Sequence, residues 1–147
     1  MKYLLLAGLA AFSISAQAET VSRPKVVYSC FTKAGKQVLV TQEGQDYRYH
    51  FGKPGKWELV FSNPLEQVKR QTTERWDGQG RYGWAAMNMH NDGYDYRLAS
   101  GWDRISDEHE SHMVVNVSKI DGSGPYSQVV CDMQKPNLLD WDDYFLW

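Results

Sequence analysis

From Val26 onward the chain is a succession of short runs rich in β-branched and aromatic residues, each ended by a cluster of Gly, Pro, Asn or Asp. Residues 26–31 (VVYSCF), 37–41 (QVLVT), 47–51 (YRYHF) and 57–61 (WELVF) have the length and composition of strands. The run at 47–51 alternates aromatic and polar side chains, the period of a strand with one buried face. Turn residues fall between them at 33–36, 43–46 and 52–56, too few for a helical crossover, so consecutive strands must be antiparallel neighbours. The pattern resumes after an irregular polar stretch at 63–75, which opens on Asn63-Pro64 and suits a short helical turn around Leu65 to Val68. Runs at 81–90, 94–99, 112–120 and 126–131 complete the set, with a hairpin turn at Asn91-Asp92-Gly93 and a charged loop at 103–111. The expected fold is all-β: an antiparallel meander of about eight strands forming a small barrel or sandwich.

The first eighteen residues stand apart from this pattern. Met1-Lys2, the apolar run 3–12 and Ala16-Gln17-Ala18 form a secretory signal peptide with a cleavage site after Ala18. The expected organisation is a signal peptide at 1–18, an all-β domain at 19–136 and an acidic-aromatic tail at 137–147. A short lysine-bearing start with a compact apolar run fits bacterial export to the periplasm, with no membrane anchor. In such an oxidising compartment an isolated cysteine pair is most simply a disulfide. Cys30 and Cys131 are the only two cysteines. Joined, they close a loop of about 100 residues, worth roughly 4–5 kcal/mol in the chain-entropy model. They would tie the first strand to the last. The alternative is a pair of buried thiols.

Composition narrows the function classes. The net charge of −2 offers no basic stripe for nucleic acid. No phosphate-binding glycine loop, G-x-S-x-G elbow, H-E-x-x-H or C-x-x-C is present, and no enzyme is expected. A glycosidase would need two carboxylates facing each other across a cleft, for which a small meander has little room. The segment from Asp107 to His112 (DEHESH) holds two imidazoles three residues apart, but zinc would need further ligands, and a solvated charged loop accounts for it. No metal or cofactor is expected. Trp57, Trp76, Trp84 and Trp102 raise the alternative of a small-ligand or carbohydrate-binding barrel with a tryptophan-lined cavity. The tail residues Trp141, Asp142, Asp143 and Tyr144 suit either aromatic packing across an open end of the frame or the capture of a partner.

Two short motifs carry a resemblance. Tyr28-Ser29-Cys30 gives Y-x-C on the first strand, answered by a cysteine on the last strand, behind a signal peptide. Ser123-Gly124-Pro125-Tyr126 gives S-G-x-Y at the entrance to that last strand. The chain thereby resembles the periplasmic lysozyme inhibitors of Gram-negative bacteria. The second motif resembles the loop of inhibitors of invertebrate-type and goose-type lysozymes. It is also similar in size and compartment to exported immunity proteins against peptidoglycan-degrading toxins. The resemblance implies a protein partner, a muramidase, and an inhibitory loop that enters its cleft. Ser123 and Tyr126 would donate hydrogen bonds to catalytic carboxylates, Gly124 would permit the bend, and Lys119 would add a cation.

Overall fold

The computed structural model describes residues 23–108, 110–141 and 143–145. The expected signal peptide, His109 and Asp142 lie outside the described residues. Nine strands form two antiparallel sheets. The first has the order β4-β3-β2-β1-β9, built from β1 (Lys25–Phe31), β2 (Gln37–Glu43), β3 (Asp46–Lys53), β4 (Lys56–Pro64) and β9 (Leu138–Leu139). The second has the order β5-β6-β7-β8, from β5 (Tyr82–Asn91), β6 (Tyr94–Asp103), β7 (Ser111–Lys119) and β8 (Ser127–Val130). The expected meander is present in both halves. Of the two architectures it allows, the chain adopts the sandwich: the sheets stack and do not close into a barrel.

The alternation in each strand explains the stacking. On β3, Tyr47 and Tyr49 point inward and Arg48 points to solvent. On β5, Ala85, Met87 and Met89 fill the inner face, opposite Leu98 of β6 and beside Met113 and Val115 of β7. Between the sheets, Tyr49, Phe61 and Tyr96 form a cluster with centroids 4.9–5.4 Å apart. A register shift between Val26 and Tyr28 places Val27 and Tyr28 both in the core, where simple alternation would bury only one. The interior is therefore filled by side chains.

Three features join the sheets. The Cys30–Cys131 disulfide links the end of β1 to the residue following β8, with Cα atoms 5.7 Å apart. Beside it the Asp132 N–H donates to the Phe31 carbonyl at 2.7 Å. The bond ties sheet to sheet, and β8 is not the last strand: β9 follows and pairs with β1 at Tyr28 and Ser29. The second feature is the link from β4 to β5. Helix α1 (Leu65–Gln71) buries Leu65 and Val68, three residues apart on one face. It ends where the Thr72 N–H and hydroxyl both donate to the Val68 carbonyl. Asn63 crosses between the sheets: its Nδ2 donates to the His90 carbonyl at 2.9 Å and its Oδ1 accepts the His90 N–H at 2.7 Å. This side-chain amide thus pairs with the outer edge of β5 as a neighbouring strand would.

The third feature is the segment after Cys131. Having paired as β9, it turns inward. Trp141 is 4% exposed and stacks on Tyr28, with centroids 5.8 Å apart. Phe145, in the short 3₁₀ turn Asp143–Phe145, is buried edge-on against Tyr47. The Tyr144 hydroxyl donates to the Lys69 carbonyl of α1 at 3.1 Å, and the Arg75 guanidinium lies 3.8 Å from the Tyr144 ring centre. Of the two readings of residues 137–147, the described aromatics Trp141, Tyr144 and Phe145 take the packing one. Trp141 serves the core. No helix among the described residues is long and apolar enough to cross a membrane.

Candidate functional site

The β7–β8 connection, residues 120–126, is exposed along its whole length. Its shape follows from its sequence. The Gly122 N–H donates to the Lys119 carbonyl at 2.9 Å, and the Ser123 N–H donates to Asp121 Oδ1 at 2.8 Å. Such an aspartate turn is what Asp-Gly-Ser encodes. Gly122 and Gly124 both occupy left-handed backbone, φ +75° and +81°, which side-chain-bearing residues disfavour. Pro125 fixes the next φ. The Ile120 N–H donates to the Gly93 carbonyl at 3.0 Å, which ties the connection to the β5–β6 turn. The loop is thus braced at its base and bent by its own residues.

The four residues singled out from the sequence have distinct positions. Tyr126 is 59% exposed and lies on the outer face of its sheet, away from the core. Its hydroxyl donates to Asn116 Oδ1, and Gln128 Nε2 donates to the same Asn116 oxygen at 2.9 Å and to the Tyr126 oxygen at 3.2 Å. Asn116 and Gln128 face each other across β7 and β8. They hold the ring, and only the register identifies them, because two polar residues twelve positions apart give no local signal. Ser123 is turned back on its own loop. Its N–H donates to Asp121 Oδ1, and the Ser123 side chain and amide beside that carboxyl hold it below the usual aspartate range. Lys119 extends along the loop beside Gly124: a β-carbon there would sit 3.6–3.8 Å from its Cε, Cδ and Nζ. No carboxylate pairs with Lys119 among the described residues. The loop therefore offers a cation and an aromatic ring, and the Ser123 side chain lies against Asp121 of its own loop.

The other candidates are dispersed. Trp102 covers Gly83, where no β-carbon would fit, and Trp76 packs edge-on against it at 5.6 Å. Trp84 lies beneath the Arg97 guanidinium at 5.2 Å, and Trp57 packs on His50 at 5.2 Å. The four tryptophans thus serve three separate places and line no common internal cavity. His112 lies over Gly101 in a polar cleft of about 280 Å³ with Arg81, Asp103 and Glu110. There Arg81 donates twice to Asp103 Oδ2, at 2.7 and 2.9 Å, and the Ile105 and Ser106 amides donate to Oδ1. These bonds, the Arg81 ones foremost, hold the Asp103 carboxyl below its ordinary value. Among the described residues no three His, Cys, Asp or Glu side chains gather as a metal site.

No protein-family model, curated protein or solved structure matches this chain. Its geometry therefore carries the functional reading.

Proposed function

We propose that this chain is an exported inhibitor of a peptidoglycan-cleaving muramidase, either a host lysozyme or a wall-degrading toxin from a rival cell. The observation that carries the reading is the loop at 120–126, exposed throughout and braced on a disulfide-tied sandwich, with Lys119 as a cation that pairs with no carboxylate among the described residues. A muramidase cleft is lined by carboxylates and aromatic side chains. Lys119 supplies a charge-assisted donor to such a carboxylate, and Tyr126 supplies stiff aromatic contact. Because the loop is already bent and braced, little conformational entropy is lost when it docks. The net charge of −2 favours encounter with a basic lysozyme. In this role the protein is expected in the periplasm and catalyses nothing itself.

The test is a cell-wall turbidity assay with the protein lacking residues 1–18. The panel holds invertebrate-type and goose-type lysozymes and any secreted hydrolase encoded beside the gene. Stoichiometric slowing of clearance by at least one of them supports the reading. The absence of binding to every member at micromolar concentration ends it.

A further inference from the structure

Among the described residues the edge of the second sheet formed by β8 is open: β8 is the terminal strand of that sheet and pairs with β7 alone. The Cys131 N–H donates to the Met113 carbonyl, and antiparallel pairing alternates by residue. Val129 and Ser127 therefore also turn their main-chain groups towards β7, and the N–H and C=O of Gln128 and Val130 point outward. Native proteins usually defend such an edge with charge, proline, a bulge or a covering element. The four residues of β8, Ser-Gln-Val-Val, contain no charge and no proline, and their pairing has no register shift. The opposite edge of the same sheet is covered: Asn63 pairs with His90, and Gln71 of α1 donates to the Asn88 carbonyl.

A groove of about 600 Å³ runs beside this open edge, between residues 128–131 and the β1–β2 turn at 32–34, with Phe51 also in its lining. Its walls are largely apolar and its rim is cationic. Lys135 Nζ donates to the carbonyls of Thr32 and Lys33, at 2.7 and 3.0 Å, and neither Lys33 nor Lys135 has a carboxylate partner among the described residues. Lys36, over the Phe51 ring, is already paired with Glu58. The nearby Asp132 carboxylate accepts the Gln134 N–H.

We propose that the β8 edge docks an extended, acidic segment of a partner protein by strand addition. The outward main-chain groups of Gln128 and Val130 take its backbone, the groove takes an apolar side chain, and Lys33 and Lys135 take a carboxylate. Charge favours such a partner, because the groove's rim carries Lys33 and Lys135 with no carboxylate partner among the described residues. The docking does not rest on the muramidase reading and uses different atoms from the loop.

Phage-displayed random heptapeptides panned against the disulfide-bonded protein supply the probe. The selected peptides are synthesised and titrated while amide hydrogen exchange is followed. The expected peptides alternate apolar residues with Asp or Glu and protect the Gln128 and Val130 amides. Val130→Pro deletes one outward N–H and no bond to β7, and should weaken binding about tenfold or more. Lys33→Glu tests the charge independently, should Val130→Pro fold poorly, and should weaken the acidic peptides comparably. Equal binding to wild type and both variants overturns the proposal, as does a panning that yields no peptide protecting the two amides. Protection that grows with protein concentration alone, together with a dimer in sedimentation, assigns the edge to a second copy and overturns it too.

Discussion

Replacing Asn63 by Ala should cost far more than the loss of a small polar side chain suggests. Asn63 is 5% exposed and exchanges two hydrogen bonds with the main chain of His90, at 2.7 and 2.9 Å, across the gap between the sheets. Its Nδ2 also donates to the Ser62 carbonyl, and its Oδ1 accepts from Gln71. Without the amide, the His90 N–H and carbonyl keep no protein partner at a shielded edge. Each such group costs about 1–3 kcal/mol, so about 3 kcal/mol is a moderate expectation for the pair. That corresponds to a shift of about 1.5 M in the urea midpoint, at a slope near 2 kcal/mol per M. Asn63→Asp separates the two bonds: it keeps the acceptor for the His90 N–H but sets a carboxylate against the His90 carbonyl, and should destabilise at least as much. The assay is urea unfolding followed by tryptophan fluorescence and far-ultraviolet circular dichroism, with coincident transitions. A change below about 0.5 kcal/mol for Asn63→Ala, the scale of an ordinary surface substitution, would refute the bridging role.

Other consequences follow from the core. The Cys30→Ser/Cys131→Ser double variant should lose about 4–5 kcal/mol, since a loop of 101 residues is released, and the loss should match the effect of reductant on the wild type in denaturant melts. Trp141→Ala should cost about 3–5 kcal/mol in thermal or urea unfolding, because the ring stacks on Tyr28 inside the core; a surface tail would lose almost nothing. Burial pushes the Tyr28 and Tyr49 phenols well above the usual tyrosine range, with a neighbouring tyrosine adding to each shift. The stability they contribute is complete below an unfolded pKa of about 10 and falls as pH rises above it. Absorbance at alkaline pH should therefore show two tyrosines ionising only as the fold is lost.

Much of the fold was legible because strands and hairpins are encoded locally. The runs at 26–31, 37–41, 47–51 and 57–61 lie inside β1 to β4, and the hairpin turn at 91–93 joins β5 to β6. The choice of sandwich over barrel was not legible, because it depends on which edges meet. β9 is two residues long and has no periodicity to reveal it. The bridging role of Asn63 is likewise invisible in sequence, where Asn63-Pro64 reads as the opening of an irregular polar stretch. Trp141 and Phe145 fit the packing alternative for the tail, but their direction depends on the space left beside Tyr28 and Tyr47. At the candidate site the bend follows from Gly and Pro, while the outward direction of Tyr126 depends on how the strand after it sits in the sheet. The engagement of Ser123 by Asp121 and the bracing of Tyr126 by Asn116 and Gln128 required the register.

The most direct measurement of the account is the turbidity assay run with wild type and a Lys119→Ala/Tyr126→Ala variant side by side. Both residues are exposed, so the variant should unfold at nearly the wild-type midpoint. If the loop blocks the cleft, the wild type slows at least one muramidase stoichiometrically and the variant needs about a hundredfold more protein for the same effect, the loss of one charged donor and one aromatic contact. Equal inhibition by the two proteins would remove the loop from the mechanism, and no inhibition by either would contradict the central claim.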